Sequence, residues 1–141
     1  MATFNKFNQF VEDLAKKVHN LNSDTLKVMF SNVAPAAINA VKADITEIAA
    51  GNGYSAGGAN ATFVSGAQAS GTYKLVLTDT VFTASGGSIA TFRYVVLYND
   101  TPSSPLKPLI GYYDYGTAVT ITSGNTFTVD FDGTNGVLTL A

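Results

Sequence analysis

The chain has no cysteine, one histidine and little charge. Without cysteine there is no disulfide, no thiol nucleophile and no zinc–thiolate centre. The sole histidine, His19, lies near Asp13 and Asp24 in sequence, but no Gly-x-Ser-x-Gly elbow accompanies it. It reads as a solvated or capping residue. Charged residues make up 13% of the chain, against about a quarter in ordinary soluble domains. With 8 basic and 10 acidic residues the net charge is −2. That is too little positive charge to neutralise phosphates, so no nucleic-acid partner is expected. No apolar run approaches the ~20 residues of a membrane span. The start, Met1 to Lys6, lacks the basic and apolar segments of a signal peptide. Synthesis in the cytoplasm and no membrane partner are the expectation.

Thr, Ser, Asn, Gly and Ala replace the missing charge. The resulting surface is neutral and polar, which suits a protein packed beside copies of itself or a partner. At 141 residues the chain fits one domain, able to bury about two-thirds of its unfolded surface without a metal or disulfide.

An N-terminal segment, residues 1–24, differs in texture from residues 25–141. Phe7, Phe10, Val11, Leu14, Val18 and Leu21 follow helical steps, while Phe10, Leu14 and Val18 are also evenly spaced. Residues 5–21 therefore form an amphipathic segment, helix or strand. Thr25 to Asn32 alternates as a strand, with Met29 the exception. Pro35 breaks it, and Asp44 to Ile48 is a helical turn or a strand. Beyond Gly71 the alternation is clear: Tyr73, Leu75 and Leu77, then Val119 and Ile121, then Phe127, Val129 and Phe131. Phe92 to Tyr98 is apolar on both faces apart from Arg93, as in a central or covered strand. Ser85-Gly86-Gly87 and Ser123-Gly124-Asn125 are turns, and Asp132 to Gly136 is a hairpin turn. Seven to nine short strands with turns every eight to twelve residues predict one mostly β domain, a jelly roll or β-sandwich.

Few residues offer chemistry. Asp130 and Asp132 share one face of a predicted strand; they make a solvent-facing row, a calcium site or an acid–base pair. Glu12-Asp13 reads as surface charge. Gly51 to Gly58 lacks the Gly-Lys-Ser/Thr of a phosphate loop and reads as a mobile loop or arm. Tyr112, Tyr113 and Tyr115 flank Asp114, and alternation puts Tyr113 and Tyr115 on one face. They serve as core, as protein interface, or as a platform on which a sugar's apolar face stacks. No catalytic residue, metal site or cofactor is assigned, and the chain is read as a non-enzyme.

The order of segments adds one more reading. It runs from Phe10-Val11-Glu12-Asp13-Leu14-Ala15, through Ser23-Asp24-Thr25-Leu26-Lys27-Val28 and Lys42-Ala43-Asp44-Ile45-Thr46-Glu47-Ile48, to Phe92-Arg93-Tyr94-Val95-Val96-Leu97-Tyr98-Asn99-Asp100 and Thr128-Val129-Asp130-Phe131-Asp132-Gly133. Over nearly the whole length this resembles small virion proteins of tailed bacteriophages. The resemblance implies a capsid cement, or decoration, protein on the outer surface of the icosahedral head. Its expected partners are the major capsid protein and further copies of itself, as dimer or trimer. A carbohydrate- or receptor-binding module of a head fibre or tail is the alternative, with Tyr112, Tyr113 and Tyr115 as contacts. Phe4, Phe7 and Phe10 put unusual apolar mass near one end and are expected to touch a neighbouring copy or the shell.

Overall fold

The computed structural model describes residues 2–141. The fold is mostly β, and every strand pairing is antiparallel. In chain order the elements are β1 (Phe4–Lys6), α1 (Asn8–Ala15), β2 (Leu26–Ser31), β3 (Ala59–Asn60), β4 (Phe63–Ala69), β5 (Thr72–Leu77), β6 (Thr80–Thr83), β7 (Ile89–Asn99), β8 (Leu109–Ile121), β9 (Thr126–Val129) and β10 (Leu138–Leu140). A five-stranded sheet runs β1-β8-β7-β2-β3. A three-stranded sheet, β10-β5-β4, and the pair β6-β9 complete the sandwich-like arrangement.

The main core joins all three sheets. Leu26, Val28 and Phe30 of β2 meet Phe92, Val95 and Leu97 of β7, Leu75 and Leu77 of β5, Phe82 of β6 and Val129 of β9. Its centre is aromatic. Phe30 stacks on Phe92 at 3.8 Å and 5°, and Phe127 stands edge-on to Phe92 at 5.0 Å. Each such pair contributes about 0.5–1.5 kcal/mol beyond area burial.

The large sheet is also covered on its other face, which accounts for Met29. That side chain belongs to a second cluster with Phe7, Ile45, Val96, Tyr98 and Leu109. The cover comes from Phe7 and from the irregular chain between β2 and β3. β2 and β7 are therefore apolar on both sides, as central strands are.

The N-terminal segment holds both a strand and a helix. β1 adds to β8 with Phe4 opposite Tyr113, and α1 is only 8 residues long. The helical periodicity that extends to Leu21 in sequence stops at Ala15, where Lys17 takes a left-handed φ of 64°. Val18 follows in irregular chain and Leu21 in a turn.

β8 carries a wide bulge. It advances from Asp114 to Val119 while β7 advances only from Tyr94 back to Phe92. The extra residues, Tyr115 to Ala118, are pushed outward and exposed. Gly116 turns there at φ 91° and donates its N–H to Asp114 Oδ1 at 2.8 Å. Arg93 holds the same carboxylate from β7 through Nε and Nη2, at 2.8 and 2.9 Å.

Candidate functional site

Beside the bulge, residues of β7, β8 and β9 border a cleft of about 270 Å³. Val95, Tyr113, Tyr115, Phe127, Val129 and Asp130 line it. Phe127 continues into the aromatic core, and Tyr115 stands edge-on to it at 5.5 Å. Tyr115 is 50% exposed. Tyr113 is half-buried against Phe4, at 5.4 Å between ring centroids. Burial pushes its phenol pKa up to about 12, with the Asp132 charge adding to the shift. Asp130 is exposed. The cleft thus offers aromatic faces, phenol hydroxyls and one carboxylate, a set suited to stacking and hydroxyl recognition.

Sequence alternation placed Tyr113 and Tyr115 on one face, and both line this cleft. Tyr112 points the other way and packs on Phe7 at 5.3 Å, in the second cluster. The two aspartates do not share a strand face, because β9 ends at Val129. Asp132 instead caps the next turn, accepting from Thr134 N, Asn135 N and Asn135 Nδ2. Those bonds to Asn135, ahead of the other contacts, hold its pKa below the usual carboxylate value. The turn closes by Gly136 N donating to Asp132 O. It is not a hairpin: β9 pairs with β6, while β10 pairs with β5. Among the described residues no three His, Asp or Glu side chains gather as a metal-holding group.

The phenylalanines expected at a protein contact lie largely inside. Phe7 is 0% and Phe10 1% exposed, in the two core clusters. Phe4 is partly buried against Tyr113. The apolar mass near this end serves folding, because β1 extends the edge of the large sheet and Phe7 and Phe10 fill the two clusters.

Exposed apolar residues occur elsewhere. Asn32 to Ala40 carries no charge, and Val33 is 55% and Ile38 81% exposed. The segment is pinned along its length. Ala37 O accepts from Asn8 N at 2.9 Å and Ala40 O from Leu109 N at 2.9 Å. Asn39 Oδ1 accepts from Ala36 N at 2.7 Å, and Ser31 Oγ donates to Thr46 O at 2.7 Å. The sequence marked Pro35 only as a strand breaker. The missing signal was the exposure of Val33 and Ile38, which residue order does not report until the core is known.

The Gly-rich stretch is a turn-rich loop anchored to the fold at Tyr54 and Gly57, which are buried, while Gly51 to Gly53, Ser55 and Ala56 are exposed. Tyr54 is 2% exposed, and its hydroxyl donates to Glu47 Oε1 at 2.8 Å while accepting from Phe30 N at 3.0 Å. Tyr98 donates to Gly57 O at 2.7 Å. Lys42 pairs with Glu47 Oε2 at 2.7 Å. Burial alone raises the Glu47 pKa, but Lys42, Tyr54 and the Gly57 N–H together bring it below the usual value. Gly58 sits so close to β2 that a Cβ there meets Val28 O at 1.8 Å.

His19 and Asp13 are buried as well, not solvated surface groups. His19 is 5% and Asp13 4% exposed. The His19 ring packs on Phe10 at 5.1 Å, and Nδ1 lies 3.1 Å from Asn99 Nδ2. Asn99 also donates to Asp24 Oδ2 at 2.6 Å. This network ties the turn after α1 to the end of β7.

Neither a family model, nor a curated protein, nor a solved structure matches this chain.

Proposed function

We propose that this chain is a structural virion protein of a tailed bacteriophage, a cement or decoration protein bound to the outside of the head. Its partners are the major capsid protein and further copies of itself, and its two packed layers belong to a jelly roll. The observation that carries the reading is the pinned, charge-free segment from Asn32 to Ala40, with Val33 and Ile38 outward. A segment held this way loses little conformational entropy on docking. Each of its two aliphatic side chains gains about 1–2 kcal/mol on full burial. Repeated over many copies on one shell, such modest contacts suffice. The low charge of the surface reduces the desolvation cost of broad contacts, and the resemblance of the sequence to phage virion proteins points to the same role.

The test is cosedimentation with purified, expanded heads, followed by imaging of their surface. Wild type is expected on the shell, and Ile38→Asp is expected to lower occupancy at least tenfold, about 1.4 kcal/mol. Absence of wild type from heads overturns the proposal.

The cleft favours a second reading, a saccharide-binding module of a fibre or tail, with Tyr113, Tyr115 and Asp130 as contacts. Selective glycan-array binding that disappears in Tyr115→Ala supports it. A blank array removes it.

A further inference from the structure

β4 is the longest edge strand of the fold. It has seven residues, Phe63-Val64-Ser65-Gly66-Ala67-Gln68-Ala69, and only one side is paired, to β5. Exposed edges are normally blunted by charge, by proline or by brevity. The other sheet ends are shorter: β3 has two residues, β1 and β10 have three and β6 and β9 four, and β1 carries Lys6. β4 has neither charge nor proline. Ser65, Ala67, Gln68 and Ala69 are all exposed.

The adjoining turn fixes which backbone groups face outward. Ala69 is opposite Thr72 across a two-residue loop in which Ser70 and Gly71 both have positive φ, 50° and 83°. In such a hairpin the residues flanking the loop exchange both hydrogen bonds, and bonded pairs then alternate along the ladder. Ala69, Ala67 and Ser65 therefore direct N–H and C=O toward β5. Gln68 and Gly66 direct theirs to the open side. The register slips at Val64, a bulge, and ends the regular edge there.

We propose that this edge pairs with the β4 edge of a second copy, antiparallel about a two-fold axis through Ala67. The occupant is a second copy because the edge complements itself. With the axis at Ala67, Gly66 of one copy opposes Gln68 of the other, and the reverse. All outward-facing groups of this stretch are then matched, in about four hydrogen bonds. The residues crossing the axis are small and uncharged, so nothing repels an identical strand. The two three-stranded sheets become one continuous sheet of six. This dimer goes beyond the capsid reading and does not depend on it, since head binding and self-association are measured separately.

The absence of cysteine makes the test clean. Across a non-bonded antiparallel pair the Cα atoms lie about 4.5 Å apart, within disulfide range. Dilute Ala67→Cys, oxidised gently, is expected to give mostly covalent dimer. Val81→Cys, at a position 56% exposed on β6, is expected to crosslink at least tenfold more slowly. In sedimentation velocity, wild type is expected to dimerise with rising concentration. Ala67→Lys places like charges opposite each other and weakens the dimer about tenfold or more, with circular dichroism unchanged. Should Ala67→Lys fail to fold, the crosslinking comparison decides alone. Equal crosslinking of the two cysteine variants overturns the proposal, as does wild type that stays monomeric at all concentrations.

Discussion

Replacing Tyr54 by Phe tests whether Tyr54 anchors the Gly-rich loop to the core. The ring stays, so its stacking on Phe30 and Phe82 is kept. Only the hydroxyl is lost, and it makes two bonds. Without it the N–H of Phe30, a residue 0% exposed, has no acceptor. An orphaned buried donor costs about 1–3 kcal/mol, and a lost bond to a charged acceptor such as Glu47 costs about 1.5–3 kcal/mol. The two are coupled through one atom, so about 2–4 kcal/mol in total is expected. For a chain of this length that lowers Tm by about 8–16 °C. Urea unfolding at pH 7 measures it directly. The acid side gives a second check. Glu47 has a lowered pKa in the fold, so its contribution is full above the unfolded value near 4.5 and is lost as pH falls through the folded one. Tyr54→Phe weakens that lowering, so the gap between wild type and variant narrows below about pH 4.5. A loss under about 1 kcal/mol at pH 7, or a gap that widens in acid, refutes the network as described.

Other expectations follow from the same geometry. Gly58→Ala drives a Cβ into Val28 O at φ 73° and is expected to cost more than about 3 kcal/mol; Gly116→Ala, with open space around it, costs only about 1–2 kcal/mol of backbone strain. Thermal unfolding of the pair distinguishes packing from conformation. Burial lowers the His19 pKa, ahead of the opposing pull of Asp13 and Asp24. The unfolded chain then binds the proton more readily, so stability falls as pH drops below about 6.5. His19→Gln flattens that slope in denaturation series from pH 8 to pH 5; an unchanged slope rules His19 out as its source.

Much of the architecture was legible in residue order, because alternation on half-buried strands is a local property. Tyr73, Leu75 and Leu77, or Leu26, Val28 and Phe30, report their core face directly. Met29 and the Phe92 to Tyr98 run reported a second covered face without naming the cover. The cover is Phe7 and the irregular chain around Ile45, which has no period to read. The phenylalanines near the start were misplaced for a related reason. Three aromatic residues signal burial but not against what, and the partner is this chain's own sheet. Likewise Asp13 and His19 carry no local mark of burial, and His19 meets Asn99, far along the chain.

By itself the sequence determined the class. It set a β-rich chain without thiol chemistry, with turns where Gly and Asn permit positive φ and with two tyrosines on one face of a strand. Tertiary structure alone decided the rest. It stopped β9 before its aspartates and anchored the Gly-rich loop by burying Tyr54 in the core. It opened a cleft beside the β8 bulge, where Tyr113, Tyr115 and Asp130 meet. It left the charge-free chain at Val33 and Ile38, and the edge of β4, facing outward. The physical reason is that periodicity records which side of a strand is dry. Which strand ends, bulges or stays unpaired depends on contacts between residues far apart in the chain.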